Sequence, residues 1–129
     1  MKICAIDGST KITGIAFLDS DNAELIDHFI IDLHDFREKE FKQRTKGLDS
    51  SIATEKKERE VIREEITQDR ITQMMIEIGK ALNNNLPDLV VVEDTWERSG
   101  SINNVKTLHN LALIIGGIKF WCATNQADF

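Results

Sequence analysis

The sequence predicts an α/β domain, a mixed sheet with helices packed on it in the order β-β-β-α-β-α. Three observations predict it. Three short apolar runs separated by turn residues open the chain. A long stretch with a three-to-four-residue apolar repeat follows. The β-branched run Leu89-Val-Val-Val92 then stands between that stretch and a second apolar helical one. Short runs joined by tight turns pair antiparallel. Strands separated by helical patterns need a crossover and pair in parallel.

Each element has its own justification. Residues 2–6 form the first run and end at Asp7; residues 13–18 form the second. Asp19-Ser-Asp-Asn22 is a turn cluster, and residues 24–33, centred on Phe29, Ile30 and Ile31, complete a β-meander. Residues 35–54 are polar, with room for one short helix followed by the linker-like Gly47-Leu-Asp-Ser-Ser-Ile-Ala-Thr54. From residue 55 to about 83, Ile62, Ile66, Met74, Ile78 and Leu82 mark an amphipathic helix, with Ile71 and Met75 beside them. Thr54 fits its N-cap, Glu55 and Glu58 its first turn, and Asn83-Asn-Asn85 with Pro87 its end. Residues 89–92 do not alternate, which suits a central, mostly parallel strand buried on both faces. A polar loop leads to a helix over about 103–124. Its stripe is Val105, Leu108, Ala112, Ile115 and Cys122, broadened by Leu111, Ile114, Ile118 and Trp121, so it packs against the sheet. Gly116-Gly117 costs about 1 kcal/mol of helix propensity per glycine, which predicts a close backbone approach.

Composition bounds the function. At 129 residues, 41% apolar and 29% charged, the chain is a single ordinary globular domain, residues 1–129. Cys4 and Cys122 lie in apolar runs, which suggests free thiols in a reducing compartment. Residues 111–122 are broken by Lys119 and too short to span a bilayer, and no signal peptide opens the chain, so a cytoplasmic protein away from membranes is expected. The net charge of −6 argues against nucleic-acid binding by bulk charge. The charge is uneven, however. Residues 35–70 hold ten basic and ten acidic side chains, leaving six basic and twelve acidic elsewhere. Within that segment Arg37, Lys39, Lys42, Arg44 and Lys46 are interleaved only with Glu38 and Glu40. This patch reads either as a solvated helix surface laced with i,i+4 pairs or as a phosphate-contacting arm.

Two acids stand out as candidates for chemistry. Asp7 and Glu93 each end an apolar strand, and α/β sheets bind ligands at the carboxyl ends of strands. If those strands are parallel neighbours, the carboxylates converge and repel unless a cation neutralises them. Hard oxygen ligands select Mg²⁺ or Mn²⁺. His28, His34 and His109 are scattered and read as surface or satisfied histidines. In Asp7-Gly-Ser-Thr-Lys-Ile-Thr-Gly14 the small-residue turn is either a plain hairpin or a phosphate cradle built from Ser9, Thr10 and Lys11. Trp96, three residues past Glu93 in a polar loop, could stack on an unpaired base or cap the core. Asp94 and Glu97 read as solvated loop and helix-start charges. Lys106, near the start of the last helix, joins the candidate DNA-contacting cations.

The stretches Ile6-Asp-Gly-Ser-Thr-Lys-Ile-Thr-Gly-Ile-Ala-Phe17 and Pro87-Asp-Leu-Val-Val-Val-Glu-Asp-Thr-Trp96, followed by the apolar Gly-Gly helix, resemble the RuvC family of Holliday-junction resolvases. The resemblance covers residues 1–33 and about 71–126. It implies a ribonuclease-H-like fold and a crossover-junction endodeoxyribonuclease, bacterial or phage-like, that uses Mg²⁺ or Mn²⁺. It implies that Asp7 and Glu93 are the first and second catalytic, metal-binding carboxylates, that Trp96 stacks on bases, and that a homodimer nicks opposed strands of a four-way junction. Three departures accompany it. Gly8-Ser9 replaces the usual Pro-Gly, and residues 36–60 are longer and more charged, an inserted arm. The remaining catalytic carboxylates of the family lie on a helix after a fifth strand, whereas this sequence stops at Phe129, where that strand would begin, and Asp128 is misplaced to substitute. The expectation is therefore an N-terminal portion of such a domain, incomplete at its C-terminus. Two other readings are compatible with the motifs: a module of the same fold that binds branched DNA without cutting it, and half of an actin- or hexokinase-like ATPase, whose phosphate hairpin also reads Asp-x-Gly-Ser/Thr. ATP-dependent stabilisation would mark the ATPase, for whose two lobes this sequence is too short.

Overall fold

Alternating burial along the first strands shows how the sheet is built. In a computed structural model describing residues 1–93 and 105–129, β1 (Lys2–Asp7) buries Cys4 and Ile6, and β2 (Ile12–Asp19) buries Thr13, Ile15 and Phe17. The period of two puts these side chains on one face. β3 (Glu24–Asp32) completes the expected antiparallel meander, with a register shift at Phe17/Leu18. β4 (Leu89–Val92) joins β1 in parallel, giving the order β3-β2-β1-β4. The crossover between β3 and β4 carries α1 (Glu38–Arg44) and α2 (Ala53–Asn85); α3 (Val105–Asn125) follows β4. Beyond β4, Leu89 forms a single parallel bridge with Asp128, whose N–H donates to the Asp88 carbonyl (2.8 Å) and whose carbonyl accepts from the Val90 N–H (2.9 Å). Among the described residues no helix is long and apolar enough to cross a membrane.

One core joins the inner sheet face to both long helices: Cys4, Ile6, Phe17 and Val90 pack with Met74, Ile78 and Leu82 of α2 and with Ile114, Ile118 and Cys122 of α3. Burial pushes the Cys4 thiol up to about 12, so it serves packing and not nucleophilic chemistry. A second, smaller cluster holds α1 on α2: Phe41 packs with Ile62 and Ile66, and the Arg63 guanidinium lies 3.4 Å from the Phe41 ring centroid.

Several expectations need correction. β4 is not buried on both faces: Val91 is 49% exposed, because the long helices cover the opposite side of the sheet. Thr54 is not the N-cap of α2. The Asp49 carboxylate accepts from the Ser51 N–H (2.9 Å) and hydroxyl (2.6 Å), its carbonyl accepts from the Ile52 N–H (3.0 Å), and the helix starts from Ile52. At the other end the asparagines remain helical, and Leu86 takes the left-handed cap (φ 45°), its N–H donating to the Leu82 carbonyl (2.8 Å). The buried stripe of α3 is Asn110, Ile114, Ile118 and Cys122; Ala112 is exposed and Ile115 half-buried. The apolar circumference exceeds what the sheet covers, and Phe120 is left 70% exposed.

Of the two adjacent glycines only one is in close contact. A Cβ on Gly117 would stand 2.9 Å from the Met75 sulfur of α2, whereas one on Gly116 would meet nothing. Gly116→Ala should therefore raise stability by about 0.5–1 kcal/mol through helix propensity. Gly117→Leu should lower it by about 1–3 kcal/mol through overpacking. Urea melts of the pair check this, and equal responses would contradict the packing described.

Candidate metal and nucleic-acid site

The parallel pairing of β1 with β4 brings the two acids together. Ile6 stands opposite Val92, and the Glu93 N–H donates to the Ile6 carbonyl at 3.1 Å, so the ladder continues to the residues that carry Asp7 and Glu93. Strand alternation turns Asp7 away from buried Ile6, onto the sheet face opposite the long helices. Both acids line one shallow depression on that face, floored by Ala5, Gly14, Ala16 and Val91. An apolar floor under two carboxylates lowers the local dielectric and strengthens their pull on a cation.

A divalent cation fits this donor set in one specific way. Mg²⁺ characteristically takes one or two carboxylates and completes its shell with water and substrate phosphate oxygens. Asp7 and Glu93 could supply that pair. Among the described residues no group of three or more His, Cys, Asp or Glu gathers into a metal cage.

The turn after Asp7 is a hairpin knitted by Ser9. The Ser9 N–H donates to the Ile12 carbonyl (3.1 Å), the Ser9 hydroxyl donates to the same carbonyl (2.7 Å), and the hydroxyl accepts from the Ile12 N–H (2.9 Å). These bonds occupy Ser9 within the turn and leave Lys11 as its exposed cation. The Thr10 carbonyl accepts from Nε of Arg70 at 3.0 Å. Arg70 is only 5% exposed, and the sequence motifs do not single it out. A signal is nonetheless present: residues 62, 66, 70, 74, 78 and 82 form one i,i+4 series on α2, and Arg70 interrupts an otherwise apolar stripe.

The basic patch divides in two. Arg37 pairs with Glu40 (2.5 Å) and with Asp69, and Arg44 pairs with Glu65 at 2.9 Å. Glu40 is a local partner of both arginines, whereas Asp69 and Glu65 come from α2 and are distant in sequence. Glu40, with Asp69, raises the pKa of Arg37, and Glu65, with Glu40, raises that of Arg44, so both guanidinium groups stay charged. Lys39, Lys42 and Lys46 are the lysines of the patch, and all three are exposed. Lys106 pairs with Glu64 at 3.0 Å, which also lowers the pKa of Glu64. Trp96, Asp94 and Glu97 lie outside the described residues. If the patch meets DNA, replacing Lys42 and Lys46 with Gln should reduce the slope of log affinity against log salt by about 0.9 for each duplex phosphate left unneutralised. An unchanged slope would return these lysines to solvated surface.

A meander of three antiparallel strands, a helical crossover and a parallel fourth strand beside the first define a ribonuclease-H-like α/β fold. The fold is that of RuvC. Thermus thermophilus RuvC in complex with a Holliday junction substrate matches with a TM-score of 0.58 at 9% identity, over 98% of this chain and 62% of that one. A further Thermus thermophilus RuvC structure matches with a TM-score of 0.54 at 10% identity, over 98% of this chain and 60% of that one. The chain thus spans less than two thirds of the length of either protein. No protein-family model matches the sequence, and no curated protein is similar to it.

Proposed function

We propose that this chain is the core of a divalent-metal-dependent endonuclease that hydrolyses phosphodiesters in branched DNA, with a four-way junction as substrate. The observation that carries the reading is the placement of Asp7 and Glu93 side by side, at the carboxyl ends of parallel β1 and β4. The shared fold with a junction-bound RuvC supports the substrate class.

Each residue has a defined task in this reading. Asp7 and Glu93 hold the metal and fix where a phosphate can approach. A bound divalent cation supplies Lewis-acid polarisation of a phosphoryl oxygen during in-line displacement. Ser9 keeps the turn closed, so that Asp7 projects from a rigid hairpin. Lys11, Lys39, Lys42 and Lys46 contribute charge toward the backbone, with Lys106, Thr10, Arg37 and Arg44 in secondary positions. Trp96 stacks on a base exposed at the branch point. A homodimer would present two such edges to opposed strands. The family resemblance places further carboxylates on a helix after a fifth strand, and the Asp128 bridge lies on the side of β4 where such a strand pairs.

Incubation of a labelled four-way junction with the chain and Mg²⁺ tests the reading. Mg²⁺-dependent nicks near the branch point support it, and binding without nicks under Mg²⁺ and Mn²⁺ contradicts it. That second outcome would favour a non-cutting branched-DNA module, a reading supported by the presence of only two clustered acids among the described residues. Trp96→Ala should weaken junction binding more than duplex binding, by about 1–3 kcal/mol if it stacks on one base. Equal losses on the two substrates would assign it to packing.

A further inference from the structure

Four cations gather around the Glu38 carboxylate beside the Asp7 hairpin. Lys11 of the β1–β2 turn, Lys42 of α1, and Arg63 and Arg70 of α2 line one polar pocket with Thr67. Glu38 is the acid that an arginine of the pocket engages. Arg63 donates to it at 2.6 Å, and its carboxyl is held below the usual range first by that bond, with Lys11 and Lys42 adding to the effect. Asp35 also lines the pocket, but its carboxylate is mostly exposed and engages Nε2 of His34 at 3.1 Å. His34 in turn bonds Asp32 through Nδ1. Six charges therefore line the pocket, four positive and two negative, in a chain whose net charge is −6.

Arg70 is the decisive group. It is 5% exposed, yet among the described residues no carboxylate forms an ion pair with it; its one hydrogen bond, from Nε to the Thr10 carbonyl, orients the guanidinium without neutralising it. Burial and the neighbouring Arg63 pull its pKa below the ordinary arginine range, which Glu38 only partly opposes. A buried cation short of negative charge is destabilised until an anion arrives. A guanidinium presents donors in a planar fork that matches phosphate oxygens, and the two lysines and the Thr67 hydroxyl add donors. The site is also rigidly placed. The Leu33 N–H donates to the Lys11 carbonyl (2.7 Å), so the hairpin, the start of the crossover and α2 are tied together.

We propose that this pocket binds a phosphate group, and that its ligand is one backbone phosphate of the nucleic-acid strand passing the edge formed by Asp7 and Glu93. The choice of a backbone phosphate over a free one rests on the proposed function. The pocket would then set the register of the strand relative to the acids, since the hairpin that begins at Asp7 is the same one that Arg70 holds.

The test uses ¹⁵N-labelled chain titrated separately with inorganic phosphate and with a short oligothymidylate, following the Nε–Hε signal of Arg70 and the amide of Lys11. Thr67→Glu places a carboxylate in the pocket, while Thr67→Gln matches its size without charge and controls for folding. A Lys11→Gln/Lys42→Gln double variant is the second line of evidence, because both side chains leave the core untouched; it should weaken the response of Arg70 to both ligands. The expected result is that both ligands shift Arg70 and Lys11 in the wild type and in Thr67→Gln, but not in Thr67→Glu. Thr67→Glu should also lower the salt slope of oligothymidylate binding by about 0.7, the value for one single-strand phosphate. If the oligonucleotide binds while Arg70 stays unmoved and Thr67→Glu keeps the wild-type slope, the pocket is overturned and the nuclease reading stands. If inorganic phosphate shifts Arg70 but the oligonucleotide does not bind, the phosphate site stands, and its assignment to a nucleic-acid strand falls with the nuclease reading.

Discussion

Asp7→Asn is expected to leave the fold intact and to lower Mg²⁺-dependent junction cleavage by at least about a hundredfold, the scale for removing one electrostatic participant from a hydrolytic site. The side chain is exposed on the sheet face opposite the long helices and contributes nothing to the core, so unfolding should be nearly unchanged. Glu93→Gln should behave alike. In the proposed function the two carboxylates act on one cation, so the double variant should cut about as poorly as either single one, because residues acting as a unit are not additive. Junction affinity should persist in all three, since the basic groups remain. Parallel gel-shift and cleavage assays read both quantities. Undiminished cleavage in Asp7→Asn would remove this carboxylate from the chemistry, and a joint fall in affinity and folding would give it a structural role instead.

Phe17→Ala is expected to cost about 3–5 kcal/mol. Phe17 is fully buried on β2, its ring centroid 6.3 Å from that of Phe29, and it belongs to the cluster that joins the sheet to α2 and α3. A domain of this size holds only about 5–15 kcal/mol of net stability, so the variant should unfold at much lower urea. Ile30→Ala provides the contrast: that side chain is 72% exposed on the edge strand β3, and truncation should change little. A Phe17→Ala loss below about 1 kcal/mol, or equal losses at the two positions, would show that the core does not lie between these elements.

Particular residues show how far the amino-acid sequence alone specifies the fold and the site. The strands, the two long helices and the approach of Asp7 to Glu93 are legible because each rests on a local signal: period two, period three to four, or an acid closing an apolar run. What is not legible depends on partners distant in the chain. Glu40 is a neighbour that pairing rules find, but Glu65 and Asp69 reach Arg44 and Arg37 from α2, which no count of neighbouring charges reveals. Val91 is exposed because the long helices lie on one side of the sheet, a fact of layering that a β-branched run does not encode. The α3 stripe is ambiguous in sequence because most of that helix is apolar, and only its docking on α2 chooses Ile114, Ile118 and Cys122. Arg70 escapes notice because a charged residue in a buried stripe reads as an interruption, although its regular spacing marks it as a member.

The proposed function stands on Asp7 and Glu93 jointly holding a divalent cation. Paramagnetic Mn²⁺ titrated into the ¹⁵N-labelled chain tests it most directly, because broadening maps the ion irrespective of any activity. Broadening is expected to centre on the amides around Asp7 and Glu93, to be reversed by excess Mg²⁺ and to be absent from Asp7→Asn. Broadening centred elsewhere, for example on the exposed acids Asp32 and Asp35, or an identical pattern in Asp7→Asn, would contradict it.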